Sequence, residues 1–403
     1  MFTKLEVDNF KSLEDFSIKM KPMTVIVGNN ATGKSSVLQA IDFLCSCVKE
    51  DFNIVIERRN WTVENIKSKM ASSGSKIHFL SEIQLPDQSG NVRNYRWDMY
   101  INAYTGKNQL ELYAEEIIDM DRNEKIIDYV VGKRGIAKTE NGIFELPTSI
   151  RLNSSVMKIL GSGAGVSEEI ADIKRFLLHS ISYEMLSPSE MRLSSRGSAN
   201  QIGMSGKNLP SFIKNMKERQ KIEFMNKVQY ILDGRITDVK AQTKGKPGWT
   251  QINVHENFEN KKLEVTSKEL SDGILRVLAF IAISEIEPVD AVILLDEIEN
   301  GINSDYVERL LNVLGKIYLE KRHQLILTTH STVFLDYVDK ESIVYLYRDG
   351  KTGVTVATQL FDNEIMNEKL QYMYPGEILL NMTHQEIMEI LLKGEKNGNS
   401  SNR

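Results

Sequence analysis

The chain has 403 residues, 41% of them hydrophobic and 26% charged, with a net charge of −5. That is long for one compact domain and short for three, with ample apolar material for a core. The charge does not suggest a dedicated nucleic-acid coat and leaves room for a local basic stripe.

Residues 2–20 read as two strands around a turn near Lys11 and Ser12. Met23–Val27 is an apolar strand fit for the middle of a sheet. A helix from Ser35 to about Val48 follows, with Val37, Leu38, Ile41 and Leu44 at helical spacing. Its two cysteines, Cys45 and Cys47, are two residues apart and point in different directions, which suits reduced thiols. Residues 77–85, 95–104 and 110–117 carry aromatic and β-branched side chains between turn signals and predict an antiparallel sheet. Residues 153–220 read as mainly helical, broken at residues 161–165 and 194–207; 221–232 continues that pattern and 244–249 is a turn.

Beyond Glu264 the signals crowd together. Residues 273–286 form a helix apolar on nearly every face, 291–297 an apolar strand ending in two acids, 306–318 an amphipathic helix and 323–331 a second buried strand. Residues 342–360 form a hairpin turning near Asp349 and Gly350, and a helical end covers 377–393. The chain divides into an N-terminal lobe (1–150), a mainly helical insertion (151–262), a C-terminal lobe (263–393) and a disordered tail (394–403). The two lobes together make a mixed α/β sheet with helices on both faces, closed by strands from both ends of the chain, plus an antiparallel β subdomain. No N-terminal signal pattern and no apolar run of roughly 18 residues is visible, so a cytoplasmic protein without a membrane segment is expected.

The stretch GNNATGKSS, Gly28 to Ser36, fits the G-x-x-x-x-G-K-[ST] pattern between a strand and a helix. In such a loop the backbone of Gly28, Asn29, Asn30, Ala31, Thr32 and Gly33 turns its N–H groups onto phosphates, and the helix N-terminus favours the anion. Lys34 neutralises the β- and γ-phosphates, Ser35 places its hydroxyl on Mg²⁺, and Ser36 is counted with them at the nucleotide. Asp296, at the end of an apolar strand, suits Mg²⁺; Glu297 suits orienting or deprotonating an attacking water. His330 ends the next buried strand, where a lone histidine is usually structural but also suits sensing a γ-phosphate. Leu270-Ser271-Asp272-Gly273 reads locally as a helix N-cap.

LSDG followed by Arg276 also resembles the signature motif of ABC-type ATPases. The order P-loop, signature, acidic strand and histidine is that superfamily's order. The opening Asn9-Phe10-Lys11-Ser12 resembles an element of its SMC/RecF/OLD branch, in the group called AAA15/AAA21-like; Leu186–Glu190 and Gly203–Leu209 resemble its middle. The resemblance implies a P-loop NTPase of the ABC-ATPase head type that hydrolyses ATP with Mg²⁺. It places Lys11 near the nucleotide, the alternative being a solvated turn residue. It implies that Ser271 and Gly273 close on ATP held by a second copy, giving a homodimer or higher homo-oligomer. Asn303 and Ser304 depart from the His-Pro common after the acidic strand. A Q-loop glutamine is not placed; Gln84 and Gln201 are the candidates.

About 70 residues follow His330, too few for the Toprim domain that several members carry, so a stand-alone ATPase is expected. The branch suggests a sensor or regulator of a separately encoded effector, a nuclease or toxin, in bacterial anti-phage defence. A RecF-like DNA-binding repair clamp is the alternative, resting on Lys133, Arg134, Arg192, Arg196, Lys207, Lys214, Lys217, Arg219 and Lys221. A non-hydrolysing scaffold is a third reading, opposed by Lys34, Asp296, Glu297 and His330.

Overall fold

The computed structural model describes all residues except 72, 73, 75, 88, 161–164, 185, 244–247, 260, 288, 289 and 399–403. Most of the 161–165 break and of the 244–249 turn, and the last residues of the expected tail, lie outside the described residues. Elements are numbered along the chain. Among the described residues the strands form three sheets.

The first is antiparallel and contains β1 (Phe2–Asp8), β2 (Phe16–Lys19), β4 (Ile77–Pro86), β5 (Val92–Tyr104), β6 (Gln109–Asp119), β7 (Glu124–Val130), β8 (Arg134–Thr139) and β9 (Gly142–Glu145). They lie in the order β2-β1-β4-β5-β6-β7-β8-β9. β4 alternates buried and half-buried residues along its whole length, the period of a one-sided sheet.

The central sheet contains β3 (Met23–Val27), β10 (Ile181–Tyr183), β15 (Val292–Leu295), β16 (Gln324–Thr329), β17 (Ile343–Arg348) and β18 (Thr355–Gln359), in the order β10-β15-β16-β3-β17-β18. All of its pairings are parallel except the β17–β18 hairpin. Strands from both ends of the chain thus interleave, as the sequence suggests. The third sheet, β11 (Ser195–Arg196), β12 (Ile236–Thr243), β13 (Trp249–Phe258) and β14 (Lys261–Thr266), falls largely within 151–262, where the sequence suggests mainly helices.

The helices are α1 (Lys34–Cys47), α2 (Phe52–Arg58), α3 (Val63–Ile66), α4 (Val156–Ile159), α5 (Glu168–Leu178), α6 (Pro188–Met191), α7 (Leu209–Asn215), α8 (Glu218–Ile231), α9 (Asp272–Ser284), α10 (Val307–Lys321), α11 (Thr332–Leu335), α12 (Glu364–Lys369), α13 (Pro375–Leu380) and α14 (His384–Gly398). The single helix expected over 377–393 is two helices, because Asn381 caps α13 and the chain turns before α14, which runs on through Gly398.

Two apolar cores flank the central sheet. Val25, Val27, Ile293, Leu295, Leu325 and Leu327 face a core shared with α9 and α10. Their alternates Ile26, Val292, Leu294 and Ile326 face a second core with α1 and the antiparallel sheet. α1 and α9 therefore lie on opposite faces of the sheet. Each fully buried Leu, Ile or Val contributes about 1.5–3 kcal/mol, so α9, buried from Val277 to Ser284, is fixed by packing. Among the described residues no helix is long and apolar enough to cross a membrane.

Candidate functional site

Strand registers set the site. Val27 of β3 pairs with Thr329 of β16, so Gly28 and His330 leave the sheet side by side. Leu295 of β15 pairs with Leu327 of β16 and with Tyr183 of β10, so Asp296 and Glu184 leave the same edge. This is the carboxyl end of the parallel strands, where open α/β sheets bind ligands.

The phosphate loop is tightly packed. A Cβ at Gly28 would stand 2.2 Å from the backbone oxygen of Leu346, so only glycine fits against β17. Gly33, at φ +102°, has its Cα against Ser12 and Thr355, where a Cβ would be 2.7 Å from each hydroxyl. Ala31 is left-handed at φ +61°, and its carbonyl accepts from Arg348 Nε at 3.1 Å. Thr32 Oγ1 donates to Asn29 O at 2.9 Å, while Asn29 and Asn30 are exposed. Lys34 is buried and donates to Gly28 O at 2.8 Å and Asn29 O at 2.9 Å. Burial lowers its pKa, opposed by Asp296, Glu297 and Glu299.

Ser35 Oγ donates to Asp296 Oδ2 at 2.8 Å, joining residues 261 positions apart. The other oxygen, Oδ1, accepts from the Thr328 hydroxyl. That same hydroxyl receives the Glu297 N–H at 2.9 Å. Glu297 sits in the left-handed region at φ +47°, a conformation rare for a side chain of its size. Its Oε2 accepts from Asn300 Nδ2 at 2.5 Å. His330 is exposed, and its N–H donates to Glu299 Oε1 at 2.5 Å. A hydroxyl and a carboxylate suit a hard cation such as Mg²⁺, which takes one or two carboxylates together with phosphate oxygens.

Lys11 bonds the helix that follows the phosphate loop rather than the loop itself. It is left-handed at φ +54°; its ammonium donates to Gln39 Oε1 and lies 3.9 Å from the centre of the Trp61 ring. Burial lowers its pKa to about 8, with Glu184 opposing and Arg59 adding to the shift. Ser12, its neighbour, does reach the loop through Ser36 Oγ at 3.3 Å. Glu184, missed in the sequence, stands at the strand end beside Asp296. It accepts from Gln39 and, at 2.8 Å, from the buried Arg59, which also pairs with Asp42. The glutamine candidates stand elsewhere: Gln84 bonds Asn94 within the antiparallel sheet, and Gln201 is exposed. Thr328 and Arg348 carry no mark in the sequence beyond the polar pair Thr328-Thr329 that ends an apolar strand, whereas Glu299 and Asn300-Gly301 keep the pattern that the resemblance expects after the acidic strand.

Ser271 caps α9 by accepting from Ile274 N at 3.3 Å. Gly273 presses on the loop after the acidic strand, where a Cβ would be 2.4 Å from Gly301 O. α9 and α1 pack on opposite faces of the sheet, so the signature and the P-loop are held by different cores, while Gly273 stays against the loop that carries Glu297.

Strand order, phosphate loop and acidic strand define a P-loop ATPase of the ABC head type. Residues 23–336 match the family described as "AAA domain, putative AbiEii toxin, Type IV TA system", and the chain belongs to that AAA-domain family. In fold it is similar to the SMC head bound to the C-winged helix domain of ScpA, with a TM-score of 0.52 and 15% identity over 89% of this chain and 96% of that one. It is equally similar to the SMC head with an extended coiled coil from Pyrococcus furiosus, bound to the C-terminal domain of ScpA: TM-score 0.51, 12% identity, 92% and 99% coverage. A stretch of 44 residues is 46% identical to the OLD nuclease of Thermus scotoductus; it covers 11% of this chain and 8% of that protein.

Proposed function

We propose that the chain binds and hydrolyses ATP with Mg²⁺ in a head-to-tail pair of copies, and that the paired state regulates a separately encoded effector in bacterial defence. The observation that carries the reading is the Ser35–Asp296 bond at 2.8 Å beside Glu297, which assembles the cation and water sites from opposite ends of the chain. The loop N–H groups and Lys34 hold the phosphates. Ser35 and Asp296 hold the cation, which offsets phosphate charge when bound. Glu297 takes a proton from the attacking water, and His330 reads the terminal phosphate. α1 and α9 belong to separate cores, and in this reading Ser271 of a second copy closes on the nucleotide. The toxin–antitoxin description of the family and the OLD nuclease match support an effector in defence. A DNA clamp draws less support, since Arg192, Lys217 and Lys221 pair with Asp272, Glu287 and Glu218.

Glu297→Gln should bind ATP, release no phosphate and double in mass with ATP by light scattering. A variant that stays monomeric at saturating ATP overturns the paired-copy reading.

A further inference from the structure

The signature carries a carboxylate where a triphosphate has to approach. Asp272 follows Ser271 directly, and its side chain is 60% exposed. A carboxylate is welcome at its own helix N-terminus, but it repels an incoming phosphate one residue away. Arg192 lies against it. Its Nη2 donates to Leu270 O at 2.8 Å and to Asp272 Oδ1 at 2.5 Å, so one nitrogen ties together the residues on either side of Ser271. Arg192 is itself anchored: its N–H donates to Pro188 O at 3.0 Å, and its carbonyl accepts from Ser267 Oγ at 3.0 Å. The sequence suggested a DNA contact for this arginine, yet its guanidinium is committed to the signature. Arg276, one turn along α9, also faces Asp272, with Glu297 the smaller charge near it, and lies half-buried against Gly301.

Resting on the paired-copy reading, we propose that Arg192 is a positioning residue for the signature. It neutralises Asp272 and fixes the Leu270–Asp272 backbone so that Ser271 can take the terminal phosphate of ATP held by a second copy. Asp272 then fixes Arg192 in the resting chain without blocking the nucleotide.

The test uses the full chain with ATP and Mg²⁺, reading phosphate release, light scattering and nucleotide affinity of the monomer. Arg192→Ala should keep monomer affinity within about threefold, because its guanidinium bonds the signature and not the P-loop, and should lose at least about tenfold in kcat. Adding Asp272→Asn to that variant should recover most of the loss, because the uncompensated carboxylate is gone; a purely structural arginine would not be rescued this way. Unchanged turnover in Arg192→Ala, or a double variant no faster than the single one, overturns the proposal. Should Arg192→Ala not fold, Arg192→Lys carries the test: it keeps the charge, so turnover within about threefold of the parent is expected, and a loss beyond about tenfold overturns the neutralising role. A parent chain that pairs and turns over while these variants do not respond sinks this proposal alone. A parent chain that does neither sinks the paired-copy reading, and this proposal with it.

Discussion

The Thr328 hydroxyl orders both acids of the site, donating to Asp296 and accepting the Glu297 N–H. That second bond matters because a left-handed Glu297 costs on the order of 1–3 kcal/mol unless its surroundings hold it. Another buried residue sets a pH limit. His323 is fully buried; its Nδ1 accepts the Ala291 N–H at 3.0 Å, which leaves the proton on Nε2, facing Ile286 O. Burial lowers its pKa from 6.5 to about 4. The folded state therefore binds fewer protons than the unfolded one. Its contribution is fully present above about pH 6.5 and is lost as pH falls toward 4. Denaturant midpoints should drop across that window in the parent and drop less in His323→Asn; parallel profiles would refute it. The P-loop residues were legible because one local pattern carries them. Thr328, Glu184 and Arg192 were not, because their roles exist only once distant strands and loops meet.

At the scale of elements, the loop after β15 touches the signature helix. Gly301, left-handed at φ +71°, brings its carbonyl to where a Gly273 side chain would start. Backbone cannot yield there as a flexible side chain can. Gly273→Ala should cost about 1–3 kcal/mol and slow phosphate release as the loop bearing Glu297 shifts. A variant matching the parent in both melting temperature and turnover would show that this contact is unimportant. The long apolar elements β3, α1, α9, β15 and β16 were readable because they are buried on one or all sides. β9 is exposed at every residue and offers no period to read. β12 and β13 hide their inward faces in a few residues, Ile236, Val239, Ile252 and Val254, among amides and charges.

For the whole molecule, the two-faced sheet makes assembly and nucleotide binding one equilibrium under the paired-copy reading. A ligand at about a hundred times its Kd adds about 2.7 kcal/mol to the state it binds. The melting temperature of Glu297→Gln with ATP should therefore climb with protein concentration, and that of the nucleotide-free chain should not. A flat profile across a tenfold dilution series with ATP would contradict shared sites.

The interleaving of β3 with β16 and β17 also governs when the protein becomes competent during its synthesis. Met23 pairs with Leu325, roughly 300 residues downstream. At 5–20 residues per second the ribosome needs roughly 15–60 s to deliver that partner. Throughout that interval the phosphate-loop strand has neither of its neighbours. A nascent or prematurely ended chain that stops short of Arg348 lacks the strand against which Gly28 packs. Nucleotide capture through the Gly28 loop therefore waits until β17 has been made.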